Sequence, residues 1–498
     1  MNNGRQAHNF REFIEKLGGN IIMPSESMHS PGVARAMIEG YFERLDVNSG
    51  MTDDGRYPGA ARNFIDAYAN TNYLRPLKGE DLDRFYADRG QYSEMQTLIG
   101  ELEASAVSNP PSNTKFLFVG HTGCGKSTEL SRLVNLVNSP DGGTVLYDHY
   151  LPVPYSISEV VGLHNIEFVD IALSIVLGIY REMEALGHAI DDAPVKRVYD
   201  WLFQEEEGTE SKTRTMGGGI GLDVGLGSII RLIDVRLKSE GVVREEIRTR
   251  IRKYIPELIT LINQAIDEIS RLTGKHILLI IDDLDKIQPL ENALRVFREH
   301  SRSLAAFNCF VIYTAPISLL YDAASSYASQ TMEIRYMPMF RVHNRDGECE
   351  AQDARDIATL REIIYRRLHP SLFEDGVVDR LIHMTGGVLR ELIRVIRGCS
   401  IYCQEYELGK ITHTALDLQK GRLKGEYYRM LDHEDYRQLR DVAQTKSRAD
   451  VNMRHLESLC VLYYPDGGKG WFDLHPIVYE LLNEWEKEAL PADVQGKG

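Results

Sequence analysis

The sequence predicts an α/β protein built on a parallel sheet, followed by a helical subdomain and a winged-helix-like C-terminal unit. Three observations lead there. The strand KFLFVG at 115 to 120 runs through a glycine-rich loop straight into the amphipathic STELSRLVNLVNS. A second strand, with five consecutive aliphatic residues from Ile277 to Ile281, ends in acids, as in a sheet buried on both faces. Beyond about 345 the periodic segments are helical until a short hairpin near the end.

In chain order, residues 1–75 read as a small, loosely helical N-terminal region, because FREFIEKL is the one amphipathic piece among Gly, Ser, Asn and Pro. LRPLKGEDLDRFYADRG through MQTLIGELEA is helical in pattern, and SNPPSN breaks it before the strand at 115. Within the 76–345 core, Leu130, Leu133, Val134 and Val137 give the next helix its apolar stripe. TVLYDHY at 144–150 is expected as a strand, and 165–186 as a helix. The insertion at 205–240 alternates Ile220, Leu222, Val224 and Leu226 with small or polar residues, which fits a glycine-loosened hairpin or a flexible surface segment. A long helix is expected over 244–273, closed by Gly274. HILLIIDDLDKI, a helix at 290–306 and the strand CFVIYT at 309–314 complete the alternation. Residues 346–410 then form a helical lid, and 411–498 place helices before VLYY, the turn PDGGKG and WFDL.

Composition narrows the function. With 498 residues, 43% hydrophobic and 26% charged, the chain has material for roughly three packed units. No run approaches the roughly 18 apolar residues of a membrane span, and the N-terminus lacks a signal-like stretch, so a cytoplasmic location without membrane contact is expected. Six cysteines without CxxC spacing support neither a zinc site nor a disulfide framework. A formal net charge of −16 disfavours a broad grip on nucleic acid, which depends on neutralising phosphates.

The chemistry sits in GHTGCGKST: Gly120, His121, Thr122, Gly123, Cys124, Gly125, Lys126, Ser127 and Thr128. The glycines let successive N–H groups turn onto phosphates, Lys126 reaches the terminal ones, Ser127 can ligate Mg²⁺, and the helix that follows adds the positive end of its dipole. This motif makes ATP and Mg²⁺ the expected cofactors. Its partner is the acid cluster Asp282, Asp283 and Asp285 at a strand end, where a parallel sheet gathers its ligands. One carboxylate should serve the Mg²⁺ shell and another should polarise water. Cys124, beside Lys126 and a helix N-terminus, is expected to be a thiol whose alkylation blocks binding.

GHTGCGKSTEL, IIDDLDK, the strand ending in Thr314, GGVLRELIRV and the winged-helix-like tail together resemble the AAA+ and STAND branch of P-loop ATPases, over about 75–485. The resemblance implies a P-loop NTPase sheet. It also implies Asp282 as the magnesium acid and Asp283 as the catalytic carboxylate, with Asp285 as the alternative. Thr314 would be a sensor residue on the core and Arg390 a sensor arginine on the lid. The chain departs from the ring-forming pattern: APISLLYDAASSYASQTMEI holds no arginine before Arg335, and Arg302 and Arg335 are poorly placed to act across a subunit boundary. This moves weight toward a STAND-like switch. Phe85 or Tyr86 is a candidate to stack on the base.

Two functions follow. The first is an ATP-hydrolysing switch or remodelling ATPase acting on a protein partner or separate effector chain, as in antiviral defence, with possible homo-oligomerisation. The second is a DNA-binding initiator-like ATPase using the winged helix, supported by Arg390, Arg394, Arg397, Lys420, Arg422, Lys424 and Arg429.

Overall fold

The computed structural model describes residues 57–90, 94–108, 113–187, 242–347, 351–465 and 470–489, with a few isolated positions between 196 and 238. Most of the 205–240 insertion and most of the 1–75 region therefore lie outside the described residues. Helices α1 (Phe64–Asn70) and α2 (Glu94–Ala106) precede strand β1 (Lys115–Gly120), the phosphate-loop helix α3 (Lys126–Asn138) and strand β2 (Tyr150–Ser156). Next come α4 (Phe168–Ala185), α5 (Val242–Arg252), α6 (Ile255–Thr273), β3 (His276–Asp282), α7 (Leu290–Glu299), β4 (Phe310–Pro316) and β5 (Glu333–Tyr336).

The five strands form one parallel sheet in the order β2-β3-β4-β1-β5. The α/β class with a parallel sheet is thus observed. Crossover helices cover both faces, which explains why β1 and β4 are buried at every position. On one face, Ile171, Ile175, Leu258, Ile262 and Phe297 from α4, α6 and α7 pack on Leu279, Val311 and Tyr313. On the other, Leu98 and Leu102 of α2 and Leu133 of α3 pack on Phe116, Phe118 and Ile312.

Three element expectations are corrected. TVLYDHY is not a strand: Leu146–His149 is a helical turn, and β2 starts where that segment ends. β2 carries Pro152 and Pro154, which cannot donate to a ladder, and among the described residues it pairs only with β3, so the prolines sit on an edge of the described sheet where no second partner needs an N–H from them. The helix expected over 244–273 is two helices, because Pro256 stands in the first turn of α6, where its missing N–H is harmless, and so restarts the helix. β5 was not expected at all; it has four residues, none fully buried, and no apolar run to announce it.

The segment expected as a helical lid comprises α8 (Ala351–Tyr365), α9 (Val377–Met384) and α10 (Leu389–Glu405). Helices α11 (His413–Met430), α12 (His433–Thr445) and α13 (Met453–Glu457) lead to the antiparallel hairpin β6 (Val461–Tyr464) and β7 (Trp471–Leu474), and α14 (Pro476–Ala489) follows. The hairpin joins two cores. Val461, Phe472 and Leu474 pack with the lid, whereas Leu462, Tyr464 and Trp471 pack with the sheet on the α2 and α3 side. Ala61, Phe64 and Ala67, around and within α1, pack into the lid cluster as well, so residues 57–75 are bound to a unit 300 positions downstream. Cys124, Cys309, Cys399, Cys403 and Cys460 are all buried. No helix among the described residues is long and apolar enough to cross a membrane.

Candidate functional site

The phosphate loop lies between β1 and α3, at the carboxyl end of the sheet. Gly123 and Gly125 take positive φ values of 81° and 106°, a conformation that costs glycine little and other residues more. A side chain at Gly123 would also collide, since a Cβ there would stand 2.8 Å from the Cβ of Arg390. Lys126 is buried and its ammonium is fully engaged: it donates to the carbonyls of Gly120 (2.7 Å) and His121 (3.0 Å) and pairs with Asp285 at 2.8 Å. Burial alone would depress the Lys126 pKa, but the Asp285 carboxylate, with Cys124 and Asp282 beside it, holds it above its ordinary value.

The three acids converge, with one carboxylate oxygen from each lying within 4.8 Å of the others. Their environments differ. Asp282, at the end of β3, is hydrogen-bonded to the Ser127 hydroxyl, and burial, then Asp285 and Asp283, push its carboxyl above the usual range. Asp283 occupies the left-handed region at φ 69° and turns away from the loop. Its Oδ2 accepts from the hydroxyls of Ser156 and Ser158 and its Oδ1 pairs with Lys286. Burial would raise its pKa, but these donors win and keep it low. Asp285 is the acid that faces the loop: one oxygen meets Lys126, and the other, Oδ1, is buried with no protein partner.

Thr314 is fully buried near the end of β4, and its hydroxyl accepts from the Leu284 N–H at 3.1 Å, so it pins the turn that carries the acids. Arg390 opens the second position of α10, and its N–H donates to the Gly123 carbonyl at 3.2 Å, which sets the lid directly on the loop. Gly387, just before α10, has a φ of 82°, and a Cβ there would come within 2.0 Å of the Phe340 carbonyl oxygen. Of the alternatives for an arginine reaching a neighbour, Arg335 is tied to Glu101 of α2 and to Glu333 of its own strand.

The loop opens onto a cleft of about 130 Å³, bounded by the loop, the connector at 72–77, residues 85–89, Met337, Phe340 and the lid. Phe85 and Tyr86 both line it; Phe85 is buried and the Tyr86 hydroxyl donates to Glu129 at 3.2 Å. Sequence reasoning missed Arg89 and Arg367. Arg89 donates to the carbonyls of Cys124 (3.0 Å) and Pro338 (2.7 Å) across the Phe340 ring, clamping the loop to the end of β5. No local motif marks either arginine; their roles exist only through contacts made far along the chain.

His121 holds a different partner. Its Nε2 accepts from the Tyr463 N–H at 3.0 Å, which leaves Nδ1 as the donor to the Leu456 carbonyl at 3.3 Å. The phosphate loop is therefore hydrogen-bonded to the C-terminal hairpin. The neighbouring Glu457 accepts from the Ser318 N–H at 3.0 Å, just past the end of β4.

No family model matches the chain, and no curated protein matches it. Among solved structures the chain is similar to the Orc1 protein of Aeropyrum pernix in complex with DNA, at 12% identity and a TM-score of 0.37, over 86% of this chain and 98% of that one. It is also similar to the Drosophila origin recognition complex bound to DNA, at 11% identity and a TM-score of 0.34, over 92% of each chain. Likenesses this distant leave the function to be argued from the chain's own residues.

Proposed function

We propose that this chain is an ATP-binding and ATP-hydrolysing P-loop switch of the AAA+/STAND kind, acting on a protein partner. The observation that carries it is the buried Lys126–Asp285 pair, set between a phosphate loop and two further carboxylates. A buried ion pair of this sort is costly to desolvate and is weak evidence for stability, which points to a role when a ligand enters. Incoming phosphates compete for Lys126 and leave Asp285 as a free base beside the terminal phosphate, able to accept a proton from water.

The donor set fits Mg²⁺: hard oxygens from Ser127 and Asp282 lie together, and the buried Asp285 Oδ1 lacks a partner. Ser127 and Asp282 would hold the ion, which when bound neutralises charge on the phosphate oxygens. Asp283, its oxygens already filled by Ser156, Ser158 and Lys286, serves to shape the turn, so the base role falls to Asp285, the alternative among the sequence-based assignments. Arg390, on the first turn of the lid helix, would report the terminal phosphate to the lid. Only such differential contact can make ATP and ADP favour different lid positions.

Four of the seven basic residues behind the initiator reading are engaged within the chain, which weighs against it. Lys420 pairs with Glu480 at 2.5 Å, Lys424 with Glu484 at 2.5 Å and Arg394 with Glu426 at 2.8 Å, while Arg397 donates to the Tyr68 carbonyl. Charge already matched by neighbouring acids does little to displace counterions from a duplex. The test uses purified protein, measuring ATP turnover and particle mass with ATP analogue or ADP, with and without duplex DNA across a salt series. Turnover abolished by Lys126→Ala, with weak DNA affinity at physiological salt, is expected. Full labelled-ATP affinity in Lys126→Ala would remove the phosphate-loop reading, and tight DNA binding at that salt would restore the initiator.

A further inference from the structure

At the lid end of the cleft, away from the phosphate loop, stands a buried charge that none of the roles above explains. Arg367 follows α8 and is 6% exposed. Its Nη1 donates to the carbonyls of Phe85 (3.1 Å) and Ile363 (2.8 Å), and the guanidinium carbon lies 5.1 Å from the centroid of the Phe85 ring. No carboxylate among the described residues pairs with it. Burial lowers its pKa to about 10, only partly offset by the field of Asp81. A guanidinium carries five N–H donors in a fixed fork. Here two carbonyls occupy one end, and the donors on Nε and Nη2 have no protein acceptor among the described residues although the residue lines the cleft.

Its place in the cleft follows from the lid helix. Leu389 stands over Gly125 and Arg390 over Gly123, so the first residues of α10 cover the phosphate loop. Ile393 lies one turn farther on and lines the cleft with Phe85, Phe340, Ile363 and Arg367. The side chains at this end are mostly apolar, and the other guanidinium near it among the described residues, that of Arg89 over the Phe340 ring, already donates to the carbonyls of Cys124 and Pro338. This suits a flat ring with acceptors on its edge better than a highly charged group.

We propose that Arg367 donates a hydrogen bond to a ring-nitrogen acceptor of the nucleobase and is the residue that makes the site bind a nucleotide more tightly than its bare phosphates. The inference rests on the phosphate-loop reading. A donor held for the base and left unpaired by an analogue is penalised far more than a lost apolar contact, so the discrimination is large.

The experiment compares ATP, its 1-deaza, 3-deaza and 7-deaza analogues and inorganic tripolyphosphate by direct binding to the full chain. One deaza analogue is expected to bind about tenfold or more weakly than ATP. Arg367→Lys and Arg367→Met should then bind ATP no better than that analogue, lose the discrimination, and keep the wild-type affinity for tripolyphosphate, which also reports that they are folded. Three deaza analogues that all bind wild type like ATP would overturn the proposal without any variant. So would variants that lose tripolyphosphate and ATP in equal measure, since Arg367 would then only pack the lid. A wild type that binds neither ATP nor tripolyphosphate would instead refute the phosphate-loop reading on which this rests.

Discussion

Single residues decide the chemistry, and the two aspartates separated by one leucine are the sharpest case. Asp283→Asn keeps an oxygen to accept from Ser156 and Ser158 but loses its pairing with Lys286, outside the phosphate loop. Asp285→Asn removes the counter-charge of Lys126 and the unpartnered oxygen together. We expect Asp285→Asn to lower single-turnover hydrolysis at least a hundredfold while ATP affinity holds or rises, because Lys126 is no longer shared. Asp283→Asn should lower it by less than tenfold. The reverse order would return the base role to Asp283. The motif showed that acids meet the loop, but which acid points inward depends on the positive φ at Asp283, and DDLD does not encode that to the eye. Thr314 is a similar case: its position at the end of β4 was legible, whereas its bond to the Leu284 N–H was not.

At the scale of elements, the joint between the phosphate loop and the C-terminal hairpin is a histidine. Burial, then the charge of Lys126, depress the His121 pKa to about 3, so the ring is neutral and can accept from the Tyr463 N–H. The unfolded chain protonates His121 near pH 6.5, and between that value and about 3 it binds more protons than the folded one. The stability His121 supports is therefore complete above about pH 6.5 and declines as the pH falls, by up to about 1.4 kcal/mol per pH unit. His121→Ala should flatten that acid limb and speed hydrogen exchange at the Tyr463 amide at pH 7, leaving exchange in β1 unchanged. Exchange at Tyr463 matching that of wild type would show that the hairpin is held by packing alone. The elements themselves were mostly legible, because buried parallel strands announce themselves as aliphatic runs. The edges were not: β2 hides behind two prolines and β5 is four half-exposed residues, and both pair through partners remote in sequence.

For the molecule as a whole, there are three hydrophobic clusters among the described residues, two of them joined by the hairpin, and the five described cysteines are distributed among them: Cys309 on one face of the sheet, Cys124 on the other, and Cys399, Cys403 and Cys460 in the lid cluster. Cys124, expected as a thiol whose alkylation blocks binding, is fully enclosed beneath the loop, so a reagent reaches it only when the loop opens. Burial also raises the thiol pKa of Cys309 to about 12 and those of Cys403 and Cys460 to about 11, so little thiolate exists at neutral pH while the clusters stay closed. Modification thus has to wait for opening, and each cluster opens with its own free energy. The chain carries a set of internal clocks. Timed alkylation read by peptide mass should label each of these thiols in the order in which its cluster loosens, and bound ATP should slow Cys124 and the lid cysteines while leaving Cys309 on its own schedule. Should Cys124 be labelled within seconds in the native protein, ahead of every other thiol, the loop would be open to solvent and the nucleotide would be entering a site that the rest of the fold does not guard.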